Sequence, residues 1–282
     1  DHPSVPIFLH ALKDTLSQHT VFRKNALSDD FYRIFKQSAG VVFFGGPDIP
    51  PSIYDENTRL LTHISDPDRH YFEISFLYHL LGGKGQKDFS NYLAQDSTYL
   101  IYGFCLGMQS MNVATGGSLV QDIPSELYGL RYAEKVLTQD PNKQHRNYYR
   151  VISTEDDLLA GTFHQIHFLK ESFLKSCSPE QILPAVYSNH HQAIKTLGKG
   201  FEKIASSIDE KVIEAIQHKA HPNVKGVQFH PEHALLYDPD IHFKLTPEDK
   251  QPTTGPGILE EASSQEFYQN FWKDFAKRLQ ED

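Results

Sequence analysis

The sequence predicts an α/β fold: a three-layer sandwich around a mostly parallel central sheet, with a small antiparallel meander added. Three observations carry this. Residues 41–44, Val-Val-Phe-Phe, and residues 98–104 are short, nearly continuous apolar runs of the kind that form strands buried on both faces. Between them Phe72, Phe76, Leu77, Leu80 and Leu81 recur at helical spacing. The second apolar run then passes directly into another helical pattern through Gly103-Phe104-Cys105-Leu106-Gly107. Strand, helix, strand and helix in this order build parallel sheets.

Taken along the chain, residues 29–38 read as a short helix, and Gly40 leads into the strand 41–44, which Gly45-Gly46-Pro47 ends. Gly82-Gly83 stops the helix that carries Phe72 to Leu81. The strand 98–104 delivers Cys105, and residues 106–114 continue as a helix closed by Gly116-Gly117. Residues 203–207, 212–216 and 224–229 are short strands separated by turn sequences, which predicts the meander. The polar stretch 237–264, rich in Pro, Gly and Asp, predicts a long surface loop, and Phe267, Phe271, Phe275 and Leu279, four apart, predict a closing amphipathic helix. There is no internal repeat, and residues 1–282 read as a single domain.

The chain has a formal charge of −9, which argues against a nucleic-acid partner, since binding the phosphate backbone needs a basic surface. No apolar run approaches the ~18 residues of a membrane span, so no membrane partner is expected. Two cysteines, Cys105 and Cys177, make neither a disulfide framework nor a zinc-binding Cys-x-x-Cys. The sequence opens at Asp1 with no signal-peptide pattern. A cytoplasmic location is the expectation, an exported form with a cleaved leader the alternative.

A cysteine between two glycines at a strand-to-helix corner reads either as a buried thiol in a tight turn or as a nucleophile. The glycines suit the second reading, because a Cβ at either would collide with the neighbouring strand and helix. A helix N-terminus also offers free N–H groups and a positive field to a thiolate and to a nearby oxyanion. A nucleophilic thiol needs a base with an orienting partner. The strand 224–229 ends in His230-Pro231-Glu232, an imidazole with a carboxylate two residues on. Most of the 16 histidines read as surface residues, and His190-His191 by itself as part of a polar loop. His230, Glu232 and His233 could also be read as a metal site, but His-x-Glu-His at a strand end is not a familiar chelate.

With these residues in place the chain resembles the class I glutamine amidotransferase-like superfamily, whose core is flavodoxin-like. Within it, the chain is similar to the gamma-glutamyl hydrolase family of cysteine peptidases (peptidase C26), and above all to bacterial gamma-glutamyl-gamma-aminobutyrate hydrolases. The resemblance rests on "FFGGPDIPPSIYDE", "DPDRHYFEISFLYHLL", "YGFCLGMQSMNVATGGSLVQDI", "YSNHHQAI" and "VKGVQFHPE", in that order. The block Asp68-Arg69-His70-Tyr71-Phe72-Glu73 and the His-His-Gln favour hydrolases over ammonia-transferring relatives.

The resemblance implies Cys105 as nucleophile, His230 as general base and acid, and Glu232 as the group orienting His230. It implies an oxyanion hole from the N–H groups of Gly46 and Leu106. Gln109, Asn189, His191 and Gln192 would contact the head of a small-molecule or peptide gamma-glutamyl substrate. The implied activity is cleavage of gamma-glutamyl amide or isopeptide bonds through a thioester, with no metal or organic cofactor. The alternatives are a glutaminase subunit feeding ammonia to a partner, and a non-catalytic binding protein on the same fold.

Two departures from the family pattern stand out. Only some forty residues precede the Gly-Gly-Pro block, where the family has a full strand-helix-strand unit. This predicts that the first strand and helix are missing, to be supplied by an upstream segment or by a second copy in a homo-oligomer. The alternative is a shortened sheet whose edge is covered by residues 1–27, with residues 5–9 filling that sheet position. The polar stretch 82–97 is also longer than the family's usual turn.

Overall fold

A computed structural model describes residues 14–84, 89–179 and 182–279. In chain order the strands are β1 (Gly40–Phe43), β2 (Leu100–Phe104), β3 (Ser118–Val120), β4 (Thr162–Phe168), β5 (Ala185–Ser188), β6 (Ala193–Thr196), β7 (Phe201–Ser207), β8 (Ile213–His218), β9 (Val224–Val227), β10 (His242–Phe243) and β11 (Thr253–Thr254). The principal helices of the first half are α1 (Ser28–Gln37), α2 (Pro67–Leu81) and α3 (Leu106–Ala114).

The fold is α/β, as predicted, but its central sheet is mixed. Seven strands run in the order β1-β2-β9-β8-β7-β4-β5. Only β1, β2 and β9 are mutually parallel. The other pairings are antiparallel, so the predicted meander β7-β8-β9 is no separate appendage. Its last strand is the one that pairs with β2, so the meander continues the sheet. The sheet curls: the N–H of His230, just beyond β9, donates to the carbonyl of Tyr187 on β5 at 2.9 Å.

The alternation of β2 explains the three layers. Ile101 joins a core on one face with Phe31, Phe76, Leu77 and Met108 from α1, α2 and α3. Leu100, Tyr102 and Phe104 join the opposite core with Phe267, Tyr268 and Phe271 of the C-terminal helix Gln265–Arg278. The period of two thus feeds two separate cores from one strand. The predicted helix ladder holds for Phe267 and Phe271, which are buried, whereas Leu279 is exposed.

Local signals account for the helix ends. Asp66 caps α2 by accepting from the N–H of Arg69, and Pro67 occupies the first position. Gly82, with φ 69°, ends it. The stretch 237–264 is more ordered than the long loop expected of it. It holds the ribbon β10–β11 and a helix, Gly255–Glu261, capped by Thr254. Its composition reflects tight turns rather than lack of structure. Among the described residues β1 pairs only with β2. Residues 5–9, the alternative occupant of the missing strand's position, lie outside the described residues.

Candidate active site

Cys105 stands between β2 and α3 with φ 50° and ψ −107°, a conformation that non-glycine residues avoid. Its own N–H donates to the carbonyl of Val227 at 2.8 Å, extending the β2–β9 ladder into the corner. The glycine requirement is steric. A Cβ on Gly103 would lie 2.6 Å from the backbone of Gly107 and Met108, and one on Gly107 would lie 2.2 Å from the carbonyl oxygen of Phe43. The elbow is therefore wedged between β1 and its own helix.

His230 leaves β9 beside this corner. Its Nδ1 lies 2.8 Å from Glu232 Oε1. Burial opposes a positive charge on this imidazole, but Cys105 and Glu232 outweigh it and raise its pKa to about 10. His233 does not join them: it caps the turn Ala234–Leu236 and its ring stands edge-on to Tyr187 at 5.2 Å. Among the described residues His230, Glu232 and His233 do not converge as metal ligands.

The loop after β1 packs against both groups. A Cβ on Gly45 would meet His230 Cε1 at 2.7 Å, and one on Gly46 would meet Arg69 Nη1 at 2.3 Å and Leu106 Cδ2 at 2.8 Å. Arg69 on α2 donates to the carbonyls of Phe44 and Gly45 at 3.1 and 3.0 Å, and its Nε is held by Glu73 at 2.7 Å. With these carbonyls pinned, the peptide leading to Gly46 has a fixed orientation. This gives the Asp68–Glu73 block a structural reason.

A cavity of about 190 Å³ brings together Gly46, Pro47, Asp48, His63, Cys105, Leu106, Gln109, Arg146, Asn189, His190, His191 and Gln192. All the residues predicted to form an oxyanion hole or contact substrate thus line one space with the cysteine. Gln109 also serves the scaffold: its Nε2 donates to Gln192 O at 3.3 Å and Gln228 Oε1 at 3.2 Å. Gln192 Nε2 donates to the carbonyl of Gln121. The reading of His190-His191 as a polar loop gives way. His190 is buried, and His191 lies between Asp48, 3.1 Å from Nε2, and Asp122, 3.3 Å from Nδ1. Burial disfavours its charge, yet the two carboxylates raise its pKa to about 9, so it carries a proton at neutral pH.

Sequence reasoning missed several members of this site. Gln228 is fully buried and its Nε2 lies 3.6 Å from Cys105 Sγ. The signal was the period of two, which puts Gly226, Gln228 and His230 on one side of the extended chain. Asp48 and Arg146 carried no comparable signal: their place depends on loops that meet only in the folded chain. Cys177 stands apart from Cys105, in the helix Phe173–Cys177. It is buried, its Sγ contacts Phe173 O at 3.1 Å, and burial raises its pKa to about 12.

A cysteine on a strained elbow, beside a strand-end imidazole held by a carboxylate, defines a protein of the class I glutamine amidotransferase-like superfamily. The profile of the peptidase C26 family matches residues 11–232, and the chain belongs to that family. It is 30% identical over 192 residues to "Putative glutamine amidotransferase-like protein YvdE" of Lactococcus lactis, covering 68% of this chain and 65% of that protein. The chain therefore spans just under two thirds of that relative's length. It is 28% identical over 236 residues to "Putative glutamine amidotransferase-like protein RP404" of Rickettsia prowazekii, covering 77% and 78% respectively. Among solved structures, one described as a "putative gmp synthase subunit a protein" of Thermoplasma acidophilum is similar with a TM-score of 0.41 and 16% identity, covering 89% of this chain and 82% of that one. Family and site together support a cysteine-type amidohydrolase or amidotransferase-like role.

Proposed function

We propose that the protein hydrolyses gamma-glutamyl amides whose amine portion is larger than ammonia and partly apolar. The observation that carries this is a second cavity of about 390 Å³ sharing His63, Arg146 and His191 with the first. Its other walls include Leu61, Leu130, Tyr132, Val136, Tyr148 and Val151. The small polar cavity beside Cys105 suits a glutamyl head, and the apolar annex suits what is attached to it. An ammonia-releasing glutaminase would have no use for such an annex.

In this reading the Cys105 thiolate attacks the δ-carbonyl carbon, and the C=O electron pair moves onto oxygen. The N–H groups of Gly46 and Leu106 receive that oxyanion; the latter is the first N–H of α3, which has no acceptor within its helix. The imidazolium of His230 gives its proton to the departing amine as the C–N bond breaks, leaving a thioester. His230 then takes a proton from water, whose oxygen attacks the thioester and releases glutamate and the thiolate. Glu232 holds the imidazole in place. Arg146 and the protonated His191 offer positive charge to the α-carboxylate, and Gln109, Asn189 and Gln192 supply neutral donors and acceptors for the rest of the head group.

The test is a panel of substrates: glutamine, a gamma-glutamyl alkylamide, a gamma-glutamyl anilide, and the glutaryl anilide that lacks the α-amino group. The anilide should be turned over with a higher kcat/KM than glutamine, the glutaryl analogue poorly, and Cys105→Ala should abolish all of it. Tyr132→Ala should raise KM for the anilide and leave glutamine untouched. Full turnover by Cys105→Ala, or equal rates on the two anilides, would overturn the proposal.

A further inference from the structure

Behind the catalytic cavity lies a cluster that the proposed reaction does not use. His164 on β4, Glu214 on β8, His190 in the β5–β6 turn and His145 before the helix Tyr149–Ile152 converge, each of them buried. One ligand-capable atom from each falls within 4.8 Å of the others. Glu214 Oε1 is 3.2 Å from His145 Nδ1 and 3.8 Å from His164 Nε2. The rings of His164 and His190 stand 4.6 and 5.0 Å from that of His145.

What distinguishes the cluster from an ordinary buried network is how many of its polar atoms lack a hydrogen bond. Both oxygens of Glu214, both nitrogens of His145 and Nε2 of His190 are buried without a hydrogen bond. His190 Nδ1 faces the carbonyl of Gln192 at 2.8 Å, which only a protonated nitrogen can satisfy, so its Nε2 presents a bare lone pair. His164 differs: its Nδ1 lies 3.3 Å from the carbonyl of Gln165, and its Nε2, 2.9 Å from the Ser188 hydroxyl, would have to exchange that partner for a cation. The carboxyl group of Glu214 and the imidazole lone pairs of His145 and His190 therefore face one another in the buried interior. Unpaired buried groups of this kind are costly, and a cation at the centre would satisfy them together.

We propose that His145, His164, His190 and Glu214 form a buried binding site for a divalent d-block cation, with zinc the best fit. Three imidazoles and one carboxylate are a ligand set suited to that borderline ion. Neighbouring ligand atoms of a tetrahedral zinc site lie roughly 3.4 Å apart, as follows from metal–ligand bonds of about 2.0–2.2 Å. The 3.2 and 3.8 Å separations already bracket this value. The carbonyl partner of His190 Nδ1 is the usual outer-shell support for a ligating imidazole.

Such an ion would act as a positioning device. It would join β4 and β8 to the turn 189–192, whose residues line the cavity beside Cys105. The inference does not depend on the proposed reaction, since it concerns how the turn is held and not what binds in front of it.

The test is metal content and cobalt substitution of the whole chain. As isolated from zinc-containing medium, the protein should hold one zinc per chain. After removal with a chelator, Co²⁺ should bind one to one with the visible spectrum of a tetrahedral site, equally in wild type and Cys105→Ala. Glu214→Gln and His145→Asn should weaken that binding by more than the roughly 100-fold that loss of an outer-shell partner can cost. Excess zinc should raise the melting temperature of the metal-free wild type. Should those variants fail to fold, X-ray absorption at the zinc edge of the wild type decides, with nitrogen and oxygen at about 2.0–2.2 Å and no sulfur expected. A folded wild type that takes up no metal, a sulfur shell at about 2.3 Å, or unaltered binding in Glu214→Gln would each overturn the proposal.

Discussion

Arg69 Nη2 donates to the carbonyl oxygen of Gly45 at 3.0 Å, and on the other side of Gly45 lies the ring of His230. One guanidinium on α2 thus holds the loop that separates it from the His230 imidazole. Arg69→Ala should lower kcat by on the order of 100-fold, the cost of a misplacement of about an ångström at a reacting centre. Arg69→Lys should not restore it, because a single ammonium cannot serve Glu73 and two carbonyls in one plane. Glu73→Gln combined with Arg69→Ala should recover stability, since it removes an unpaired buried carboxylate, but not rate. Steady-state kinetics beside thermal melts separate the two effects; equal recovery of both would contradict this assignment.

The elbow stores backbone strain. Cys105 holds φ at 50°, and residues forced into such regions cost on the order of 1–3 kcal/mol. Cys105→Gly relieves it but gives up unfolded-state entropy worth roughly 0.4–1 kcal/mol, so it should be about 1 kcal/mol more stable than Cys105→Ala. Both should be inactive. Chemical denaturation of the pair measures the difference, and a less stable glycine variant would mean that the corner is not strained.

Activity should persist to high pH. The charges of Cys105 and Glu232 raise the His230 pKa to about 10 against the opposing effect of burial. If His230 is the proposed general acid, its imidazolium is present below that value and lost above it, which puts the alkaline limb of kcat/KM near pH 10. Glu232→Gln removes one of the groups that hold the proton, so its limb should move to lower pH. A limb that stays in place would detach Glu232 from His230.

Lys225, fully buried on β9, has its Nζ 3.0 Å from Asp274 Oδ2 and 3.8 Å from the centre of the Phe173 ring. Burial lowers its pKa from 10.5 to about 8, although Asp274 favours the charge. Between these values the unfolded chain binds more protons than the folded one, so this residue's contribution to stability rises with pH through that window and is least below pH 8. Lys225→Met should fold and lose little or no stability at pH 7, because Asp274 keeps Arg278 at 2.8 and 3.0 Å. The gap between wild type and variant should shift in favour of wild type from pH 8 to 10.5. Urea titrations across that range check it, and a constant gap would refute the assignment.

The parts of this molecule legible in the sequence are those that local sterics and period encode. Gly103, Cys105 and Gly107 announce the elbow as a pattern within five residues, although only the collision at Gly103 lies with the adjoining helix and that at Gly107 lies with β1; the helix Leu106–Ala114 follows with its expected ends. His230 and Glu232 are two residues apart and met as expected. The mixed sheet was not legible: β9 reads the same whether β2 lies parallel beside it or only β8 antiparallel, since pairing is a property of distant segments. Lys225 and Glu214 were visible as charges interrupting apolar strands, but whether such a charge is exposed or buried depends on the layer above it. His145, His164 and His190 lie in three unrelated stretches, and nothing local tells that their rings share one interior point.

Cys105 and His230 leave the ends of adjacent strands, yet they are separated by 125 residues of chain. At synthesis rates of roughly 5–20 residues per second, the thiol emerges several seconds to tens of seconds before its base exists. On the proposed mechanism the nascent protein is inert for want of its own later sequence. A slip of β9 against β2 by two residues would move the imidazole roughly 7 Å from the sulfur. On the proposed mechanism turnover reads out strand register, and a refolding assay that follows product would time the closure of the β2–β9 ladder directly.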